Sequence, residues 1–189
     1  MLNFEENFYF DQDLREIPKD PKKLLKRIDL IQKEMVDDEK TEDRVRHLGE
    51  LGYLCRTLNE LELAEQYLGQ AMNLIEEDDL GPRFFVIYGI RLAHVWQWQK
   101  RFEESNPMFT DLINLCQEHS SCADLLDFAH QHAGKNLFDQ KDYDGAIELF
   151  EMALTVRRQK DDKNLIDSTN LAIRTTKNHL QARLRGTTC

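Results

Sequence analysis

The most constraining feature of this chain is an internal repeat. Three segments align without a gap: NELELAEQYLGQAMNLI from Asn59, KRFEESNPMFTDLINLC from Lys100 and KDYDGAIELFEMALTVR from Lys141. Their small residues Ala64, Ser105 and Ala146 fall 41 residues apart twice. Four residues on come Leu68, Phe109 and Phe150, and three further on Ala71, Leu112 and Ala153. Spacings of four and three put these side chains on one face of a helix. A second helical pattern precedes each segment, with Leu48, Leu51, Gly52 and Cys55, then Gly89, Leu92, Ala93 and Trp96, then His130, Ala133, Gly134 and Leu137. The small residue recurring at Gly52, Ala93 and Gly134 lets the partner helix approach nearly bare backbone, which justifies the helix-weakening cost of glycine, about 1 kcal/mol against alanine. A unit of this size buries its apolar face only by stacking on its neighbours.

At these positions the chain resembles the tetratricopeptide repeat family. The family's small residue after a leucine is matched by Leu51-Gly52 and Leu92-Ala93, and more weakly by Ala133-Gly134. Its second-helix alanine, aromatic and alanine are matched by Ala146, Phe150 and Ala153; Ala64, Leu68 and Ala71 come close, and Ser105, Phe109 and Leu112 diverge most. The period exceeds the usual one of roughly 34 residues and is similar to the long-helix variants of kinesin light chains and bacterial peptide-sensing regulators. The resemblance covers about residues 44 to 160. It implies an all-α, right-handed superhelical solenoid of antiparallel helix pairs, with about eight helices and the first helix of each pair lining the concave face.

The flanks continue the phase. Residues 1–20 form a tail outside the repeat, 21–37 a lone half-repeat helix capped by Asp20 with Pro21 in its first turn, 43–160 the three repeats, and 164–185 a C-terminal capping helix of the kind a solenoid needs for solubility. Loops are expected at Asp37–Glu42, Asp78–Pro82, His119–Cys122 and Lys160–Lys163. Pro107 conflicts with the pattern. Proline is tolerated only in a first turn, so the helix there is expected to begin at Asn106 or to kink, with Ser105 displaced from the role of Ala64 and Ala146.

A formal net charge of −10 argues against a general nucleic-acid or anionic-membrane binder. The charge is uneven: from Arg157 to Arg185 eight Lys/Arg face three Asp/Glu, so that stretch is +5 and the remainder −15. Such an end either docks an acidic partner or is a solvated helix with cations in its last turn. No run approaches the roughly 20 apolar residues of a membrane span. Glu5, Glu6, Asp11 and Asp13 stand where a secretory signal would be basic and then apolar. Cys55, Cys116, Cys122 and Cys189 are too irregularly placed for a disulfide framework, so a reducing cytoplasm is expected.

If the resemblance holds, the face opposite the core landmarks carries the function. It presents Arg46, Tyr53, Arg56 and Thr57 in the first repeat, Ile87, Arg91, His94, Gln97 and Trp98 in the second, and Phe128, Gln131, His132, Lys135 and Phe138 in the third. The residues expected to contact a partner are Arg46, Tyr53, Arg56, Arg91, His94, Trp98, His132 and Lys135. Basic and aromatic side chains facing only Glu50 and Asp139 suit a peptide with acidic and apolar groups. The other reading is that Tyr53, Phe128 and Phe138 are core residues and the charges are solvated. Some tetratricopeptide domains clamp chaperone C-termini with Lys, Asn and Arg. The matching positions here are Gly49, Tyr53, Arg91, Phe128 and His132, so that ligand is not expected.

The segment Leu2–Leu14 joins Phe4, Phe8, Tyr9 and Phe10 to four carboxylates. It either folds back on the groove or docks a second copy, packs on the first helix, or stays disordered. Catalysis finds little support: Cys116, His119 and Cys122 lack the paired short spacings of a zinc site, and His130 and His132 point to different helical faces. No enzyme activity, metal or cofactor is expected. The expected function is binding of a protein or peptide in the concave groove, which suits an acidic one. The alternative is a peptide-sensing regulator whose superhelix changes shape on binding, and neither reading fixes an oligomeric state.

Overall fold

The computed structural model describes residues 7–37 and 40–186, so Phe4, Glu5, Glu6 and Cys189 lie outside the described residues. A two-stranded antiparallel hairpin, β1 (Phe8–Phe10) and β2 (Glu16–Pro18), comes first. Eight α-helices follow: α1 (Pro21–Glu34), α2 (Thr41–Thr57), α3 (Leu61–Glu77), α4 (Pro82–Trp98), α5 (Phe102–Glu118), α6 (Leu126–Asp139), α7 (Tyr143–Lys160) and α8 (Lys163–Gly186). Each packs chiefly on its neighbours in sequence, which makes the molecule an all-α solenoid.

The repeat's turn is written into the backbone. Asn59, Lys100 and Lys141, again 41 residues apart, adopt left-handed φ of 64°, 62° and 64°. The amides that follow reach back over the helix end, from Glu60 to the Cys55 carbonyl (2.9 Å), Arg101 to Trp96 (2.8 Å) and Asp142 to Leu137 (3.0 Å). These bonds satisfy carbonyls left open at the helix end and reverse the chain within each pair.

Three core clusters repeat along the axis. Leu48, Leu68 and Val95 centre the first, Val86, Phe109 and Leu112 the second, and Ala146, Phe150 and Leu154 the third. A Cβ on Gly52 would lie 2.4 Å from Leu68 Cγ, and one on Gly134 2.7 Å from the Phe150 ring. Gly134→Ala is therefore expected to lower stability by about 1–2 kcal/mol, because overpacking against an immobile ring exceeds the gain of about 1 kcal/mol in helix propensity. Urea unfolding midpoints of variant and parent check this. An unchanged or higher midpoint would show that the ring yields.

Two expectations are corrected. Helix α5 starts at Phe102, not at Asn106, and runs through Pro107 to Glu118. Proline there removes the donor that would have met the Glu103 carbonyl, one turn from the helix start. Ser105 keeps the landmark position, fully buried, and its hydroxyl donates to Asn136 Oδ1 on α6 at 2.7 Å. Second, the basic stretch is not all solvated surface. Arg157, 2% exposed, donates to Asp127 Oδ2 (2.9 Å), Thr169 Oγ1 (2.6 Å) and Gln131 Oε1 (3.2 Å), which ties α6, α7 and α8 together. Lys160 also meets Asp127, whose side chain is completely buried. No helix among the described residues is long and apolar enough to cross a membrane.

Candidate partner-binding groove

The period sets the groove floor. Positions 41 apart form rungs along α2, α4 and α6: Tyr53, His94 and Lys135; Arg56, Gln97 and Phe138; Thr57, Trp98 and Asp139. Except for Phe138, whose ring packs on Tyr143 of α7, the rungs project from the first helix of their pair, away from the side packed on the second helix.

The hairpin from the N-terminal segment fills this face. Asp11 shapes it: its Oδ1 accepts from the amides of Asp13 (2.9 Å) and Arg15 (2.8 Å), closing a tight turn. Leu14 follows in the left-handed region at φ 58°, a conformation that costs a branched residue about 1–2 kcal/mol. Its burial in the cluster of Phe138, Tyr143 and Phe150 offsets that strain. At the other end Phe8 is buried against Leu24, Ile31, Leu51 and Leu54, with its ring 5.8 Å from that of Tyr53.

Between these anchors Glu16 reaches Arg56 in a short ion pair and lies 3.5 Å from Lys135 Nζ. All three are buried, with Arg56 3% and Lys135 4% exposed. Burial alone would raise the Glu16 carboxyl, but the charges of Arg56 and Lys135 and the Arg56 hydrogen bond together hold it far below the ordinary carboxylate range. Burial lowers Lys135 against the pull of Glu16. Lys135 Nζ also lies 4.5 Å from the Phe10 ring centroid.

One residue away the polarity reverses. Arg15 Nη2 meets Asp139 Oδ2 at 2.5 Å, and the same oxygen accepts from Gln97 Nε2 at 2.9 Å. The guanidinium carbons of Arg15 and Arg56 lie 4.6 and 4.7 Å from the Trp98 ring centroid, within cation–π range. His94 stacks edge-on to His132 at 4.6 Å and to Trp98 at 5.9 Å. Burial first, then the surrounding Arg56 and Lys135, push both imidazoles well below their usual titration range.

Of the residues expected to contact a partner, Tyr53, Arg56, Trp98 and Lys135 meet the hairpin, and His94 and His132 stack beside Trp98. Arg46 does not: it is exposed and pairs with its own helix's Asp43 at 2.8 Å. Arg91 sits over Tyr88 at 5.3 Å, outside the direct hairpin contacts. Of the two groove acids, Asp139 takes Arg15, while Glu50 is held by Arg27 (2.8 Å). Phe138 belongs to the core, with its ring on Tyr143 and His179. Sequence reasoning missed Arg15 and Glu16, which read as ordinary tail charges; a basic–acidic pair behind alternating Phe8 and Phe10 was the available signal.

Residues 132–160 match the tetratricopeptide repeat family. No curated protein matches the chain in sequence. Among solved structures it is similar to the apo form of RapI, with a TM-score of 0.67 and 13% identity over 87% of this chain and 59% of that one. It is also similar to BtubC from P. vanneervenii, with a TM-score of 0.62 and 12% identity over 87% of this chain and 75% of that one. At such identities the likeness is one of fold, and the chain spans 59% of RapI's length.

Proposed function

We propose that this solenoid of tetratricopeptide type is a protein-interaction module that binds a short segment of a partner polypeptide in its concave groove. The observation that carries the reading is the hairpin itself: the groove already holds a short stretch of chain, two strands joined by a turn, with a carboxylate between Arg56 and Lys135. Tyr53, His94, Trp98 and His132 supply the aromatic contact surface, and Arg46 and Arg91 are proposed to meet the partner outside the stretch that the hairpin covers. This is binding and not catalysis, in a reducing cytoplasm where buried Cys55, Cys116 and Cys122 remain thiols.

Two variants test this. Glu16→Lys sets like charges together in a buried site and is expected to release the hairpin while leaving the groove basic. Arg56→Glu with Lys135→Glu also releases it, but reverses the floor. Affinity capture should enrich a partner on the first variant over wild type and lose it on the second, with circular dichroism showing both folded and amide exchange at Tyr9–Arg15 reporting release. Equal capture by the two variants would move the binding surface away from the groove.

The regulatory reading draws on a separate observation. The hairpin touches both the first repeat, through Phe8 and Glu16, and the third, through Leu14 and Arg15. Replacing it with a partner segment changes what bridges the two ends, and so biases superhelix curvature.

A further inference from the structure

The floor of the groove carries two charged subsites of opposite sign, placed for Arg15 and Glu16, neighbouring residues where the chain enters β2. Arg56 and Lys135 form the anionic subsite's walls; Asp139, oriented by Gln97 and flanked by the Trp98 face, forms the cationic one. A purely acidic segment would leave Asp139, whose side chain is 9% exposed, without a cation, and a purely basic one would leave Arg56 and Lys135 facing each other. Burial makes either omission expensive, because an unpaired charge there has no water to replace its partner.

The hairpin meets only part of what the floor offers. Arg15 Nη1, Arg56 Nη1, His94 Nε2, Gln97 Oε1, Trp98 Nε1 and His132 Nδ1 are buried polar atoms with no protein partner. They belong to side chains already in mutual contact around Trp98 and His94, so they form one patch. Native interiors rarely leave such groups unmet, and a cluster of them marks an incomplete fit. The hairpin is also built to leave. Among the described residues its two strands form a sheet of their own, and a two-stranded hairpin is marginal by itself, so side chains such as Phe8, Leu14, Arg15 and Glu16 contribute its hold on the body.

Resting on the peptide-binding reading above, we infer that the groove selects a hairpin-forming segment with a pair of aromatics on its first strand and a guanidinium and a carboxylate on adjacent residues where its second strand begins, and that residues 7–19 occupy it as an incomplete, displaceable stand-in. The external segment matches the pattern Phe-x-Phe…Arg-Glu and adds polar groups for the unmet donors and acceptors. Recognition is by charge order, not by net acidity.

The test uses the full chain carrying Arg15→Ala and Glu16→Ala, which weakens its own hairpin, beside wild type. The probe is a fluorescein-labelled synthetic peptide, NFYFDQDLREIPK, with the sequence of residues 7–19, followed by anisotropy. Binding to the weakened chain is expected to be at least tenfold tighter than to wild type, where the tethered hairpin competes at high effective concentration. On the weakened chain, peptides with Arg15→Ala or Glu16→Gln should each bind at least tenfold more weakly, and one with the pair inverted should not bind. Adding Asp139→Asn to the chain should abolish its discrimination against the Arg15→Ala peptide only. If the double variant does not fold, the Glu16→Gln chain takes its place with the same ranking expected. An Arg15→Ala peptide as tight as the parent overturns the two-signed site and leaves the peptide-binding function standing. No binding of any peptide to a folded, weakened chain overturns both.

Discussion

Asp127→Ala is expected to destabilise the protein by about 3–5 kcal/mol, the usual result of removing one partner from a buried ion pair. The carboxylate is fully buried at the start of α6, and Arg157, which it neutralises, is 2% exposed on α7. Without Asp127 the guanidinium keeps Thr169, Gln131 and the Leu165 carbonyl, which satisfy its protons but not its charge. The double variant Asp127→Leu/Arg157→Met should recover most of the loss, because the gain from pairing two buried charges roughly cancels the cost of desolvating them. Urea unfolding of the parent, Asp127→Leu, Arg157→Met and the double variant measures the coupling. A loss below 1 kcal/mol in Asp127→Ala would mean that water reaches Arg157.

The second large effect is on pH dependence. His94 and His132 face each other inside the groove, with Arg56, Lys135, Arg15 and Glu16 among the charges that act on them. Both are held neutral in the folded state because burial, and then the neighbouring cations, push their titration far down; Glu16 opposes this at His132. In the unfolded chain each takes a proton near its ordinary value of about 6.5. Below that pH the unfolded state therefore binds more protons, and stability falls as pH falls. Two histidines give a slope of about 2.7 kcal/mol per pH unit, from near 6.5 downward. His130, also lowered by burial, acts in the same direction. Glu16 adds its own loss only below about 4.3, where its unfolded carboxyl begins to protonate. Urea titrations between pH 7.5 and 5 check the slope, and His94→Gln/His132→Gln should flatten most of it. A parent whose stability stays level across that range would show that the pair takes up protons as readily in the folded state as in the unfolded chain.

The helical scaffold was readable because repetition amplifies weak local signals. One Gly52 opposite one Leu68 says little, whereas the same small-to-large contact at Gly134 and Phe150, one period on from Ala93 and Phe109, fixes which faces meet. The groove was legible for the same reason, since Arg56, Trp98 and Lys135 sit at fixed phases of helices whose buried side was already known. What escaped the sequence is pairing between distant segments. Arg157 looked like a member of a solvated basic run because nothing local reveals that Asp127, 30 residues earlier, lies under it. Glu16 is similar: its carboxylate is 40 residues from Arg56 and 119 from Lys135, and no periodicity links a hairpin to a helix. Pro107 failed in the other direction. A local rule was applied strictly where tertiary packing of Ser105 on Asn136 carries the helix through.

The hairpin changes the kind of object a solenoid is. In an open array each unit answers only to its neighbours, so order can begin anywhere and either end can fray alone. Here Leu14 and Arg15 grip the third repeat and Phe8 the first, which closes the line into a loop with a strut across its mouth. The strut can seat only after α2, α4 and α6 have taken up their spacing, because its contacts draw on all three. Its contacts with α6 join residues more than 100 positions apart, and the entropy of closing such loops slows their formation. Until then the helices stack with their inner surface open. On a ribosome emitting the N-terminus first, the segment that closes the groove exists long before the groove does.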